Sequence, residues 1–138
     1  ISVHPKGVAL WQAMVDHLPG QIRVEPSLVH IDYWSGNILW DKGTISAVVD
    51  WEEAAQGDPG IDVAYCRMDM ILGGMDEAAD RFLAAYEKEM GKPVLNLGFW
   101  ELAAAVRPMF NPDGWISEPP AKDHFADYVE AAIQRTRS

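Results

Sequence analysis

The stretch from Asn37 to Trp51 constrains this chain most. Asn37–Trp40 and Thr44–Trp51 are apolar, β-prone runs separated only by Asp41-Lys42-Gly43. β-branched and aromatic side chains favour extended backbone, and a short Gly-bearing spacer lets the chain reverse. The segment therefore predicts a β-hairpin. Ser27–His30, after Pro26, predicts a further short extended run. Gln56–Gly60 predicts a loop, because Gly, Asp and Pro crowd it.

Both sides of this segment read as helix. In Pro5–Leu18 the apolar residues Val8, Trp11, Met14, Val15 and Leu18 recur at helical spacing, Pro5 suits a first turn, and Pro19-Gly20 ends the run. Ile61–Leu72, Asp76–Met90, Leu97–Met109 and Lys122–Arg135 follow as helices. Gly73-Gly74, Gly91 and Pro108 act as stops, and Asp76 is the expected N-cap of the second. Asn111–Pro120 reads as a loop. The expected fold is α+β and mainly helical, with one small hairpin embedded among helices. One domain of 138 residues accommodates it. The six Trp residues are expected mostly in the core, with Trp34 and Trp115 in loops. His4, His17 and His124 lack the spacing of zinc ligands and read as surface residues.

Charge narrows the partners. Twenty-one acidic against 11 basic residues leave a formal net charge of −10. That surface repels a phosphate backbone, so no nucleic-acid partner is expected, whereas a cationic small molecule would be attracted. No apolar run approaches the roughly 20 residues that span a bilayer, so no membrane association is expected. Cys66 is the single cysteine. No internal disulfide can form, which suits a reducing cytoplasm. The chain starts at Ile1 rather than Met and is expected to be a piece of a longer protein.

Polar residues gather around the hairpin. His30-Ile31-Asp32 follows the short extended run, Asn37 comes five positions after Asp32, and Asp50-Trp51-Glu52 closes the second strand. Gly57-Asp58-Pro59 and Asp62 come next. Carboxylates at strand ends are rigidly held, and a hairpin folds its ends together. Phosphoryl transfer from a nucleotide needs an acceptor that orients the incoming hydroxyl and metal ions that neutralise the phosphates. Magnesium prefers hard oxygen ligands. Asp32, Asn37 and Asp50 supply that set: one carboxylate for the hydroxyl, one amide oxygen and one carboxylate for the metal.

The segment Leu28–Tyr65, LVHIDYWSGNILWDKGTISAVVDWEEAAQGDPGIDVAY, resembles the signature of the aminoglycoside phosphotransferase and choline kinase-like family. That signature is His-Gly-Asp, four residues, Asn, a hairpin, Asp-Trp-Glu, Gly-Asp-Pro and Asp-Leu-Ala. The family is related to the protein kinases, with their H-R-D-x-x-x-x-N loop and D-F-G. The resemblance implies that residues 1–138 form the C-terminal, catalytic and substrate-binding lobe of a protein-kinase-like fold, normally linked covalently to an N-terminal nucleotide-binding lobe. It implies ATP or GTP as phosphoryl donor, Mg2+, and a small-molecule hydroxyl acceptor of the aminoglycoside type. Asp32 matches the catalytic aspartate, and Asn37 and Asp50 the magnesium and nucleotide-phosphate ligands. His30 matches the histidine that braces the loop, and Asp62 the aspartate that ties the loop down through backbone hydrogen bonds. Glu52 and Trp34 are candidates for substrate or second-metal contact. Ile31 stands where the family carries Gly. Ile does not readily take positive φ, so a somewhat different local backbone is expected.

Nothing before Ser27 offers a Gly-rich phosphate loop or a strand lysine, and Lys6 precedes a helix. Alone, the fragment is expected to be inactive and to self-associate through surface that a missing lobe would cover. The competing readings are an inactive binding or regulatory fragment, and a metal-dependent hydrolase built on His30, Asp32, Asp50 and Glu52. The acceptor pocket is expected on the later helices. Asp76, Glu77, Asp80, Glu101, Asp113 and Glu118 there are either solvated or suited to a cation.

Overall fold

The computed structural model describes residues 5–116 and 119–137; His4 and Glu118 lie outside them. The architecture is mainly helical with two small antiparallel sheets. The hairpin joins β2 (Ile38–Asp41) to β3 (Thr44–Val48), with Asp41 opposite Thr44 and a register shift between Leu39 and Trp40. Lys42 and Gly43 both have positive φ, 50° and 81°. Consecutive left-handed residues match the right-handed twist of the strands in a tight hairpin, which is what the Lys-Gly pair permits.

The other sheet was not legible as such. β1 (Ser27–Val29) pairs with β4 (Ala55–Gly57), Leu28 opposite Gln56. Gln56 and Gly57 fall in the expected Gln56–Gly60 loop, because Ala-Gln-Gly carries no β signal. Pairing with a strand nearly 30 positions earlier extends them. This pairing closes the segment around the hairpin.

The helices are α1 (Pro5–His17), α2 (Gly60–Leu72), α3 (Asp76–Met90), α4 (Leu97–Val106), α5 (Pro112–Trp115) and α6 (Pro119–Arg137). A 3-10 turn, Arg107–Phe110, continues α4 past the point where Pro108 removes a backbone donor. Short α5 occupies part of the expected loop. Gly91 ends α3 at φ 68°, as a left-handed C-terminal glycine does. Asp76 is not the N-cap of α3. Met75 holds that place, and Asp76 sits in the first turn, where a carboxylate still suits the helix dipole.

The core lies where α2, α4 and α6 meet, around Ala64, Met68, Leu102, Ala105, Phe125 and Tyr128. Close approach is written into α4. A Cβ on Gly98 would come within 2.8 Å of the Arg135 Cβ on α6. Cys66 is buried in α2, and burial pushes its thiol up to about 12, so it fills space as a neutral group.

Packing sorts the apolar residues of α1 and overturns the expectation for the Trp set. The stripe Val8, Trp11, Val15 and Leu18 faces outward, while Leu10, Ala13 and Met14 pack onto the core. Helix α1 is apolar on two sides, and tertiary contact with α4 selects one. Nor is the Trp set core. Trp11, Trp34, Trp40 and Trp51 are exposed, Trp40 by 63%, and only Trp100 and Trp115 pack partly against the core.

Glu101, a candidate for a cationic ligand, is also reassigned. It is wholly buried and accepts from Arg67 Nε at 3.2 Å and from Arg135 Nη1 at 2.6 Å. Arg67, 2% exposed, also donates to the Ala79 carbonyl and to Asp80. Burying a carboxylate demands such partners. Its charge belongs to the core of the α2–α4–α6 junction. Glu77 pairs with Arg81 on the surface.

Candidate active site

The site is assembled from the β1–α2 corner and the base of the hairpin. Asp62, in the first turn of α2, turns its carboxylate back on the loop. Its Oδ2 accepts the His30 N–H at 2.7 Å and its Oδ1 the Ile31 N–H at 2.8 Å. Asp58 organises the preceding turn by accepting the Gly60 N–H at 2.8 Å. These two aspartates explain why a Gly-Asp-Pro-containing turn opens a helix here: each satisfies amides that the helix start or the loop leaves unpaired.

His30 is 2% exposed, and its Nε2 donates to the Val49 carbonyl at 2.7 Å. A carbonyl can only accept, which fixes the proton on Nε2, and Nδ1 has no hydrogen-bond partner among the described residues. The Trp51 ring packs on the imidazole with centroids 4.5 Å apart. The Val49 N–H in turn donates to the Asn37 carbonyl at 3.0 Å. Val49 is thus clamped between the two ends of the 30–37 loop, and Asp50 is the next residue. Asp50 takes a left-handed backbone, φ 65°, which aspartate tolerates, and its side chain is exposed.

Asp32 and Asn37 touch directly. Asn37 Nδ2 donates to the Asp32 carbonyl at 2.9 Å and to its Oδ2 at 3.0 Å. With the amide nitrogen so committed, Oδ1 of the buried Asn37 is the atom left for a cation. Asp32 Oδ1 lies 3.5 Å from Arg107 Nη2. Tyr65 is buried beside it. Burial raises its phenol most, the Arg107 charge opposes this, and the charge and hydrogen bond of Asp32 raise it further. Tyr65 therefore stays a neutral donor at neutral pH and cannot serve as the base.

Ile31 departs from expectation. Its φ is 70°, a left-handed backbone that a β-branched residue seldom takes. The loop therefore keeps this conformation with Ile in place. Asp62 holds the Ile31 N–H, and Arg107 Nη1 donates to the Ile31 carbonyl at 2.8 Å. The surroundings over-determine the strained residue.

Of the candidates read from sequence, His30, Asp32, Asn37 and Asp62 are linked by hydrogen bonds, and Asp50 adjoins them through the Val49 backbone. Trp34 and Glu52 are exposed at the margin. Trp34 folds over Gly36, where a Cβ would come within 2.4 Å of the indole. Sequence reasoning missed Arg107 and Tyr65. A lone cation in the apolar run Phe99–Phe110 is the signal that could have flagged Arg107. Among the described residues, no group of three or more His, Cys, Asp or Glu side chains could hold a metal. No helix among the described residues is long and apolar enough to cross a membrane.

Comparison with known proteins bears on the family. Over 37 residues the chain is 54% identical to hygromycin-B 4-O-kinase of Escherichia coli, a match covering 27% of this chain and 11% of that protein. Over 51 residues it is 45% identical to mouse acyl-CoA dehydrogenase family member 10, covering 36% of this chain and 5% of that one. The fold is similar to the crystal structure of a Ralstonia eutropha protein described as a "putative aminoglycoside phosphotransferase", with a TM-score of 0.55 and 24% identity. That likeness covers 94% of this chain and 48% of the other, so the chain spans about half the length of the solved relative. The model of the phosphotransferase enzyme family matches residues 5–96, more than half of the sequence, and the chain belongs to that family.

Proposed function

We propose that this chain is the C-terminal, catalytic lobe of a protein-kinase-like enzyme that moves the γ-phosphoryl group of ATP or GTP to a hydroxyl of a small molecule. The observation that carries this is the Asp32–Asn37 clasp, tied by Val49 to Asp50 and anchored by Asp62. Asp32 presents a carboxylate to the acceptor hydroxyl. As that oxygen bonds to the γ-phosphorus and the bond to the nucleoside diphosphate breaks, the hydroxyl proton passes to Asp32. Asn37, through Oδ1, and Asp50, through its carboxylate, are hard oxygen donors of the kind Mg2+ takes. When bound there, Mg2+ would neutralise the nucleotide phosphates. His30 and Asp62 keep the loop in register. A cytoplasmic setting fits the lone buried thiol.

The donor's remaining contacts belong, in this reading, to a covalently linked N-terminal lobe. The 138 residues alone are therefore expected to bind Mg-nucleotide weakly and not to turn over. Leu28, Leu39, Trp40 and Ile45 are exposed and fit surface that such a lobe would cover; a free fragment would pair through it at high concentration. The acceptor is read as an amino-sugar-like cation, with Glu52, Glu53 and Trp34 at the rim.

The test is a pair of variants in the complete enzyme. Asp32→Asn is expected to lower kcat by about 10²–10⁴-fold with nucleotide affinity close to normal. Asp50→Asn is expected to weaken Mg-dependent nucleotide binding as well. Near-normal turnover in both would overturn the assignment, and the opposite pattern would exchange the two roles.

A further inference from the structure

Arg107 is placed where no reading of the sequence put a functional group. One guanidinium meets four parts of the site. Nη1 donates to the Ile31 carbonyl at 2.8 Å, and Nη2 lies 3.5 Å from Asp32 Oδ1 and 3.7 Å from Glu53 Oε2. Its carbon sits 4.2 Å above the Tyr65 ring. Glu53 comes three residues after Asp50, so Arg107 ties the loop bearing Asp32 to the segment that follows Asp50. It reaches both from the end of α4, 76 positions away from Ile31.

We propose that Arg107 is a positioning residue for the transfer reaction: it fixes the Asp32 carboxylate relative to the Asp50 segment and holds the left-handed Ile31 that aims it. This inference rests on the phosphotransferase reading above. The chemistry suits arginine and not a generic cation. A planar fork donates to a carbonyl with one nitrogen and faces carboxylates with the other, while its flat face stacks on an aromatic ring. A lysine ammonium supplies the charge but not the fork and the stack together. Stability is not the main purpose. Arg107 is about one-third exposed and Glu53 more than half, and exposed ion pairs contribute little to folding. Geometry is where the contact matters, since a displacement of about 1 Å in a reacting group can cost about 10²-fold in rate.

Three variants of the complete enzyme, Arg107→Gln, Arg107→Lys and Asp32→Asn, decide the matter by steady-state kinetics and thermal melting. Arg107→Gln is expected to lower kcat by about 10- to 100-fold, with both KM values and the melting temperature little changed. Arg107→Lys is expected to recover part of that loss. A kcat within about twofold of the parent, a rise in acceptor KM alone, or a fall in kcat that tracks a fall in melting temperature and is not relieved by Lys would each overturn the inference. If Arg107→Gln does not fold, Arg107→Lys decides: a kcat several-fold down at unchanged KM supports the role, and an unchanged kcat removes it. Asp32→Asn keeps the two readings apart. Retained turnover there sinks the phosphotransferase assignment itself, whereas its loss beside an unaffected Arg107→Gln sinks only the role of Arg107.

Discussion

The junction of α2, α4 and α6 and the loop–hairpin segment from β1 to β4 are stabilised by different means. The first is apolar packing closed around one buried ionic cluster, Arg67–Glu101–Arg135. The second has few buried side chains; Leu39, Trp40, Ile45 and Trp51 stay exposed. It is shaped instead by polar groups bonded to backbone: Asp62 to two amides, His30 to Val49, Asn37 to Asp32, Arg107 to Ile31. Three of the four non-glycine residues with positive φ among the described residues, Ile31, Lys42 and Asp50, lie in this second region. Packing tolerates little change in volume but leaves backbone conformation ordinary. Directed hydrogen bonds can hold a backbone out of its preferred state and aim a carboxylate. A site that must point charges is therefore built in the second way and leans on the first for rigidity.

That contrast can be broken by experiment. Glu101→Gln carries the largest expected effect on stability. It removes the buried carboxylate from the Arg67 guanidinium and leaves the exposed Asp80 as the remaining charged partner, which costs about 3 kcal/mol, measurable by urea denaturation. Turnover per folded molecule should hold, and a large loss of it would show that the helical junction also aims the site. Asp62→Ala comes next. Two hydrogen bonds to a charged acceptor disappear, for about 2–3 kcal/mol. Here turnover in the complete enzyme should fall further than stability, because the His30–Ile31 backbone is released. Equal effects on both would erase the distinction between the regions.

The smallest effect is the sharpest. Ile31→Gly should change stability by less than about 1 kcal/mol. Relief of left-handed strain, about 1–2 kcal/mol, offsets glycine's extra chain entropy and the lost partly buried side chain. A loss above about 2 kcal/mol would mean that Ile31 is held by packing after all.

Much of the local structure was legible because its causes are local. The hairpin follows from β-prone runs about Asp41-Lys42-Gly43. The end of α3 follows from Gly91. The helices follow from apolar periodicity, with boundaries that moved by a few residues at α4 and α6. The motif of Leu28–Tyr65 pointed to the family for the same reason: its residues are close in sequence, and their spacing is itself the signal.

Only the tertiary structure decided the rest. Which side of α1 is buried depends on α4, since both sides are apolar. Whether Ala55–Gly57 is loop or strand depends on a partner at Ser27–Val29. Glu101 in α4 and Arg107 in the turn that continues it are both charges within one apolar run, yet one is sealed in the core and the other reaches the Asp32 carboxylate. Sequence determines propensity and the order of chemical groups along the chain. Side chains many positions apart acquire their partners, and with them their charge environment and their role, only when packing brings them together.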